Sequence, residues 1–515
     1  MSYSPGALAG VIILILVYFT FSGRRTAHRP PPGPKPIPIL GNVHQLPSEY
    51  QWREFAQWAV KYGDVFYFQI FRKPALVINS VGAAHDLLER RSSKYSDRPR
   101  TVVLTELQVG AVYSTLPYGN QWRQHRKWFQ TAFQTKSSQQ NHKPLVRRGT
   151  RWLLSLLLEN PAEFEWHIKR FSGATMLEIA YGHPATSPDD ELMRFADDTL
   201  RKIFVLSGSG SSIIDFISVL RFVPDWMPGA RVQRKSRELS HLVRALYDIP
   251  YERVKSAMAG GTARQSFLTS LLEQGSVNGG LTEKEYDIKG AAAQVYIAGT
   301  ETTVTVLLTF MLAMVLHPEV FKKAQAEIDR VVGHSRLPDP NDRSSLPYLE
   351  HVLKEVYRWG CPVPLAIAHQ SIADDEYRGY HIPTGSVIIP NIWAMMRNPT
   401  VYPEPERFLP ERFENLDADT IAAIDPLKAV FGFGRRICPG RTFGDSTVWL
   451  TAASILSAFD VRKARDAAGE EITPEPKFSD GLVRHPPSFK CDIKPRSSRE
   501  AELIRLLNMD GLGGV

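Results

Sequence analysis

The stretch FGFGRRICPG, Phe431 to Gly440, decides how the rest of this 515-residue chain is read. Three glycines surround one cysteine, Cys438. Glycine lacks a Cβ and tolerates φ > 0, so this is a loop built to press its backbone closely against something. Phe431 and Phe433 can cover a flat apolar object, and Ile437 can shield the sulfur. Nearby cations favour a thiolate, and Arg435, Arg436 and Arg441 supply the charge. A bare G-x-x-x-C-x-G would read as a buried structural cysteine in a turn; the ten-residue string is far more specific.

Cys361 and Cys491 lie far away and have no such surroundings. Three scattered cysteines make neither a disulfide framework nor a zinc site, which fits a reducing, cytosol-facing location. A composition of 43% hydrophobic and 23% charged residues is that of a globular protein. The net charge of +8 points to anionic partners. The basic residues are dispersed and no nucleic-acid motif appears, so no nucleic-acid partner is expected.

Towards the N-terminus, Ala7 to Phe21 reads ALAGVIILILVYFTF. With Tyr3 to Gly6 and Ser22 it forms a helix of roughly 30 Å, enough for the ~27 Å endoplasmic reticulum bilayer. Arg24, Arg25 and Arg29 follow and no Lys or Arg precedes, which places the bulk of the chain on the cytosolic side. A cleaved signal peptide would want a basic start and a small-residue cleavage site, and neither is clear. Residues 1–25 are therefore expected to be a transmembrane anchor. RPPPGPKPIPILGN, Arg29 to Asn42, cannot be helix; residues 26–42 are expected to form a stiff extended hinge.

A second constellation, AGTETT at Ala298 to Thr303, interrupts an apolar run from Ala291 to Leu316. The run could span a bilayer, but a mid-helix carboxylate such as Glu301 costs about 2.5–3.5 kcal/mol in lipid. Gln294 and the threonines add to that. A helix crossing a protein core, its polar break facing a cavity, fits better, and a charge there is a functional candidate. Gly299 lets such a helix open locally, so that Thr302 reaches across the groove. Thr303 reads as a hydroxyl bonded to the preceding turn.

Together these strings resemble the cytochrome P450 family. The resemblance implies haem b as cofactor, with Cys438 as thiolate ligand of the iron, Phe431 and Gly434 shaping the loop and Arg436 on a haem propionate. By the match to the family's central helix, Glu301 and Thr302 are an acid–alcohol pair relaying protons to bound dioxygen. Trp122 and Arg126 in WRQHR resemble the helix that grips one propionate. His369 falls where members carry an Arg or His on the other. Glu355 and Arg358 in LKEVYRW, on one helix face, resemble with Arg412 of the later PERF string a structural triad beneath the haem loop. The Glu-x-x-Arg spacing alone is weak, since it recurs at Glu191, Glu327, Glu404 and Glu502.

The implied fold is mostly α with small β-sheets: a single haem domain over residues 43–496, in place of the two domains that length alone suggests. Residues 497–515 form an extension without assigned role, with helical spacing at Leu503, Ile504, Leu506 and Leu507. Periodicity marks helices at 51–62, 120–134, 189–205, 234–258, 283–317, 318–332 and 346–358, and strands at 65–71, 75–78, 377–382 and 386–390. Gly/Ser-rich stretches at 207–212 and 275–280 read as surface loops.

The implied reaction inserts one oxygen atom from O2 into a lipophilic small molecule by hydroxylation or epoxidation. No G-x-G-x-x-G follows a strand, so electrons come from an NADPH-cytochrome P450 reductase, docking on Arg123, Lys127, Arg435 and Arg441. By family analogy the pocket comprises Thr101 to Tyr118, the stretch before Gly299, Val363 to Ala368 and Gly481 to His485. The overall pattern resembles fungal members that tailor terpenoids or polyketides, single-pass in the endoplasmic reticulum membrane with the catalytic domain cytosolic. A haem-thiolate isomerase or dehydratase without O2 competes, and Glu301–Thr302 counts against it. A membrane-anchored ligand carrier has no need of Cys438.

Overall fold

The computed structural model describes residues 29–100, 112–184, 190–207, 231–277 and 281–512. The expected anchor and residues 101–111 of the expected pocket wall lie outside the described residues, as do most of 207–212 and part of 275–280.

Among the described residues twelve helices exceed ten residues: α1 (Gln51–Tyr62), α2 (Asn120–Phe133), α3 (Lys136–Glu159), α4 (Phe164–Tyr181), α5 (Glu191–Ser207), α6 (Arg231–Ala259), α7 (Phe267–Val277), α8 (Leu281–Leu316), α9 (Pro318–Val331), α10 (Pro347–Gly360), α11 (Arg441–Ala458) and α12 (Ser498–Leu512). The 36-residue α8 is apolar nearly all round, the mark of a helix surrounded by protein. It is long and apolar enough to cross a membrane, yet 78% of its most apolar window is buried inside the protein. Gly299 has a packing role here. A Cβ on it would stand 2.1 Å from Sδ of Met176, so glycine lets α4 lie against α8. Ser172 of α4 seals the contact by donating to the carbonyl of Thr300 at 3.0 Å. The expected local opening is not seen, and α8 is continuous.

The nine strands among the described residues are short. In the largest sheet, in the order β1 (Val65–Ile70), β2 (Lys73–Ile78), β6 (Val387–Pro390), β3 (His369–Gln370), β2 and β6 run parallel and the other pairs antiparallel. Its Phe66 and Phe68 pack on Phe55 and Trp58 of α1. The proline-rich stretch runs along β1, where the carbonyl of Pro32 accepts from Tyr67 N at 2.8 Å and that of Gln69 from Asn42 N at 2.6 Å. Residues 377–382, expected as one strand, are the hairpin of β4 (Asp375–Tyr377) and β5 (Tyr380–Ile382). Arg378 at φ 52° and Gly379 at φ 76° make the two-residue turn.

Periodicity missed α3, α4, α7 and α11. Helices α4 and α11 are buried on most sides and show no amphipathic stripe, and α3 carries Pro144 in its interior. The C-terminal α12 docks through buried Ala501 and Ile504 and through Glu500, 3.2 Å from His334. β7 (Phe459–Arg465), β8 (Glu471–Ile472) and β9 (Cys491–Pro495) form the remaining sheet.

Candidate active site

A cavity of about 300 Å³ separates α8 from the cysteine loop, with Gln294, Ala298, Gly299, Thr302, Thr303 and Val306 on one wall and Phe431 to Phe433, Arg436 and Cys438 to Gly440 on the other. Phe129, Phe133, Met176, Val363, Ala366 and Ile367 close its sides. The wall is mostly apolar with a few convergent polar groups, as small-molecule sites are. Gly481 to His485, expected on the wall, do not line it.

The loop is held by its own backbone. Cys438 N donates to the carbonyl of Phe431 at 2.8 Å, and residues 434–436 make one 3-10 turn. Gly434 has φ +54°, and a Cβ there would lie 2.0 Å from the carbonyl oxygen of Leu88, so only glycine lets the loop seat on the π-helical turn His85–Arg90. The Phe431 ring lies 5.6 Å from Tyr357 of α10. Burial raises the Cys438 thiol, while the Gly440 N–H and the charges of Arg126 and Arg441 draw it down. This corrects the expected cation set. Arg435 bonds the Tyr118 hydroxyl, and Arg436 donates to the carbonyls of Ser96 and Leu116 at 2.8 Å each. Arg126 of α2 takes their place, donating to the Ile437 carbonyl at 2.6 Å and to Tyr113 Oη at 3.0 Å.

On α8 the two relay candidates part ways. Thr302 lines the cavity and its hydroxyl donates to the Ala298 carbonyl at 2.7 Å, the backbone bond expected of Thr303. Glu301 does not line the cavity, because adjacent helical residues face different directions. Its Oε2 lies 3.5 Å from Nε2 of His485, whose Nδ1 is 2.8 Å from Oγ1 of Thr305. Burial raises the Glu301 carboxyl, with Lys169 opposing. Burial and then Lys169 lower His485 to about 4. At neutral pH this contact therefore involves a neutral imidazole and is not an ion pair.

The far end of the cavity is cationic. Arg98, a residue the motif analysis passed over, is buried and donates to the carbonyls of Ser114, Ile367 and Ala368. Burial, then Arg436, pulls it down to about 9. Arg436 is likewise lowered to about 10 by burial. Neither has a carboxylate within ion-pair distance among the described residues. His369 donates Nδ1–H to the Tyr95 carbonyl at 2.7 Å and is lowered by burial, Arg98 and Arg436. Trp122 packs under Arg436 at 4.7 Å, and Trp122 Nε1 and Arg436 Nη1 are buried without a hydrogen-bond partner among the described residues. Buried donors and cations left over in this number call for an anionic ligand, and a haem with its propionates at this end and its iron towards Cys438 fits them. The only early signal for Arg98 was its place in DRPR, too short to carry a role by itself.

Beneath the site Glu355 and Arg358 are fully buried. Arg358 Nε and Nη2 grip the Glu355 carboxylate at 2.7 and 2.8 Å, Arg412 Nε joins at 3.1 Å and Leu409 N at 2.8 Å. Of the weaker matches, Glu327 instead caps α10, accepting from Tyr348 N and Leu349 N, and Glu404–Arg407 is an exposed pair.

A family model described as Cytochrome P450 matches residues 31–493. Cytochrome P450 monooxygenase 176 of Postia placenta is 46% identical over 500 residues, covering 97% of this chain and 96% of its own length. Cytochrome P450 monooxygenase 136 of the same fungus is 45% identical over 99% of this chain and 98% of its own, and a cytochrome P450 monooxygenase of Armillaria gallica is 36% identical over 98% and 99%. A match of this extent accounts for the lone cysteine in its glycine loop, and the chain belongs to the cytochrome P450 family of haem-thiolate monooxygenases.

Proposed function

We propose that this enzyme hydroxylates or epoxidises a lipophilic small molecule in fungal terpenoid or polyketide metabolism, with electrons from an NADPH-cytochrome P450 reductase. The observation that carries the reading is Cys438 facing Thr302 across one largely apolar cavity. The haem, when bound, supplies the centre at which dioxygen is reduced. The chain's residues do the rest. Cys438 would hold the iron, and Arg98, Arg436, His369, Trp122 and Arg126 the propionate side. Phe431 and Ile437 would cover the sulfur against water.

Thr302 and Glu301 would manage the protons. At rest the Thr302 hydroxyl donates to the Ala298 carbonyl, so its lone pairs are free to accept from a ligand in the cavity, and it must release the carbonyl only to donate. Glu301, raised by burial, holds a proton to higher pH than an ordinary carboxylate. It reaches Thr302 by rotating off His485 or through water. Arg123, Lys127, Arg435 and Arg441 are all exposed, and form the basic face offered to an acidic reductase. Residues 1–25 are read as the anchor and 26–42 as the hinge of a single-pass protein in the endoplasmic reticulum membrane, with residues 43–496 in the cytosol and 497–515 as an extension.

Reduced, carbon monoxide-bound protein should show the strongly red-shifted Soret band of a thiolate ligand, and Cys438→His should lose it. Reconstitution with reductase and NADPH should convert the substrate, identified by comparing metabolites with and without the gene, to a product one oxygen heavier. A product of unchanged mass formed without O2 would sink the monooxygenase reading in favour of an isomerase.

A further inference from the structure

A polar side chain on the cavity wall, bonded to Ser114 beside the cationic end, keeps a donor of its own to spare. Gln294 of α8 is only 6% exposed, and its Oε1 accepts two bonds from Ser114, from N at 3.3 Å and from Oγ at 2.9 Å. A backbone N–H can only donate, so the amide atom facing it is the oxygen, and this fixes which way the amide points. The NH2 group is therefore at the other corner, with no hydrogen-bond partner among the described residues. The open direction is the cavity, of which Gln294 forms part of the wall. Val295, beside it on that wall, is apolar and cannot satisfy it. Gln294 lies eight residues before Thr302 on a continuous helix, about 12 Å along the axis.

We infer that Gln294, oriented by Ser114, is a specificity-determining donor that selects substrates carrying a hydrogen-bond-accepting oxygen at a fixed distance from the carbon to be oxidised. This deepens the function proposed above and rests on its reading of the cavity. A bare hydrocarbon leaves the buried NH2 unsatisfied, whereas a carbonyl, ether or hydroxyl oxygen completes it. A site built to bond an oxygen rejects the analogue lacking it more strongly than an apolar pocket rejects a missing methylene. The enzyme accordingly acts on an already oxygenated skeleton. The reaction that supplies its substrate must be one that installs such an oxygen, an oxygenation or an acyl transfer, and not a hydrocarbon cyclisation alone.

The test uses haem-loaded full-length protein and a molecular ruler. N-dodecylimidazole and chains of equal length bearing one ketone at successive positions are titrated, and the Soret shift on nitrogen ligation reports binding. One ketone position should bind about three- to tenfold more tightly than the plain chain. Gln294→Leu and Gln294→Glu should lose that gain. Gln294→Glu keeps both Ser114 bonds, since a carboxylate also accepts, and replaces only the donor. A haem content and a carbon monoxide-bound Soret band equal to the parent's show that the variants fold. No improvement at any ketone position, or a gain that survives in Gln294→Glu, overturns the inference while leaving the monooxygenase reading standing. Absence of any shift with the plain chain brings down the haem-pocket reading, and this inference with it.

Discussion

Glu355→Ala separates a buried motif from its exposed look-alike. The Glu355 carboxylate receives four hydrogen bonds, from Arg358 Nε and Nη2, Arg412 Nε and Leu409 N. Its removal leaves a guanidinium at 0% exposure and another at 6% without their counter-charge. Both keep some carbonyl partners, Met396 and Pro405 for Arg358 and Pro403 for Arg412, so they stay buried and uncompensated. Breaking a buried pair in this way costs about 3–5 kcal/mol. A domain spanning residues 31–493 has an unfolding entropy of roughly 1 kcal/mol/K, so the midpoint should fall by about 3–5 °C. Because α10 also carries Tyr357, against which Phe431 rests, the cysteine loop loses its floor and haem loading should be abolished. The control is Glu404→Ala, with the same spacing to Arg407 but with side chains 64% and 60% exposed; exposed pairs contribute little. Thermal denaturation followed by circular dichroism, with haem content per chain from absorbance, reads both variants. Equal losses in the two, or a haem-loaded Glu355→Ala melting within about 1 °C of the parent, would refute the reasoning.

Thr302→Ala should retain NADPH consumption but divert it to peroxide, read as product formed per NADPH oxidised; unchanged coupling would remove Thr302 from proton delivery. Gly299→Ala places a methyl 2.1 Å from Met176 Sδ. It should cost about 1–3 kcal/mol by overpacking, largely recovered in the double variant with Met176→Ala; additivity of the two changes would show that the contact is not the cause. His485, lowered to about 4 by burial and then Lys169, binds fewer protons folded than unfolded between that value and the ordinary 6.5. Stability should therefore be full above pH ~6.5 and decline as pH falls towards 4, by up to about 3 kcal/mol. His485→Gln should flatten that part of the pH–stability curve in urea titrations, and an unchanged slope would assign it elsewhere.

How legible the molecule was depended on the range of the interaction. FGFGRRICPG and AGTETT announced themselves because a close-packed loop and a polar break in an apolar helix leave local signatures. Helix α8 was placed to within two residues at its start and one at its end for the same reason. Helices α4 and α11 were not, since burial on most sides erases the stripe on which periodicity depends. The 377–382 hairpin hid because its turn begins with an arginine at positive φ, where asparagine or aspartate would have given it away. At the site, Arg98 and the Glu301–His485 contact were invisible. Each gains its meaning from partners on distant segments, Ile367 and Ala368 about 270 residues on for Arg98 and His485, 184 residues on, for Glu301. The charge beside Cys438 was expected from its sequence neighbours, yet Arg126 on α2 acts there together with Arg441.

The seating of Gly434 on Leu88 has a consequence in time. A ribosome adding about 5–20 residues per second needs roughly 17–70 s to travel from one to the other. For that interval the π-helical turn waits as half of a mould, and α8, finished 118 residues before Gly434, spends roughly the last 6–24 s of it without the loop that will close its cavity. The thiolate ligand, the last major part of the site to be synthesised, takes its shape only against a surface already folded. Haem capture is thus deferred until the loop has been synthesised, after every helix that lines the cavity from the other side.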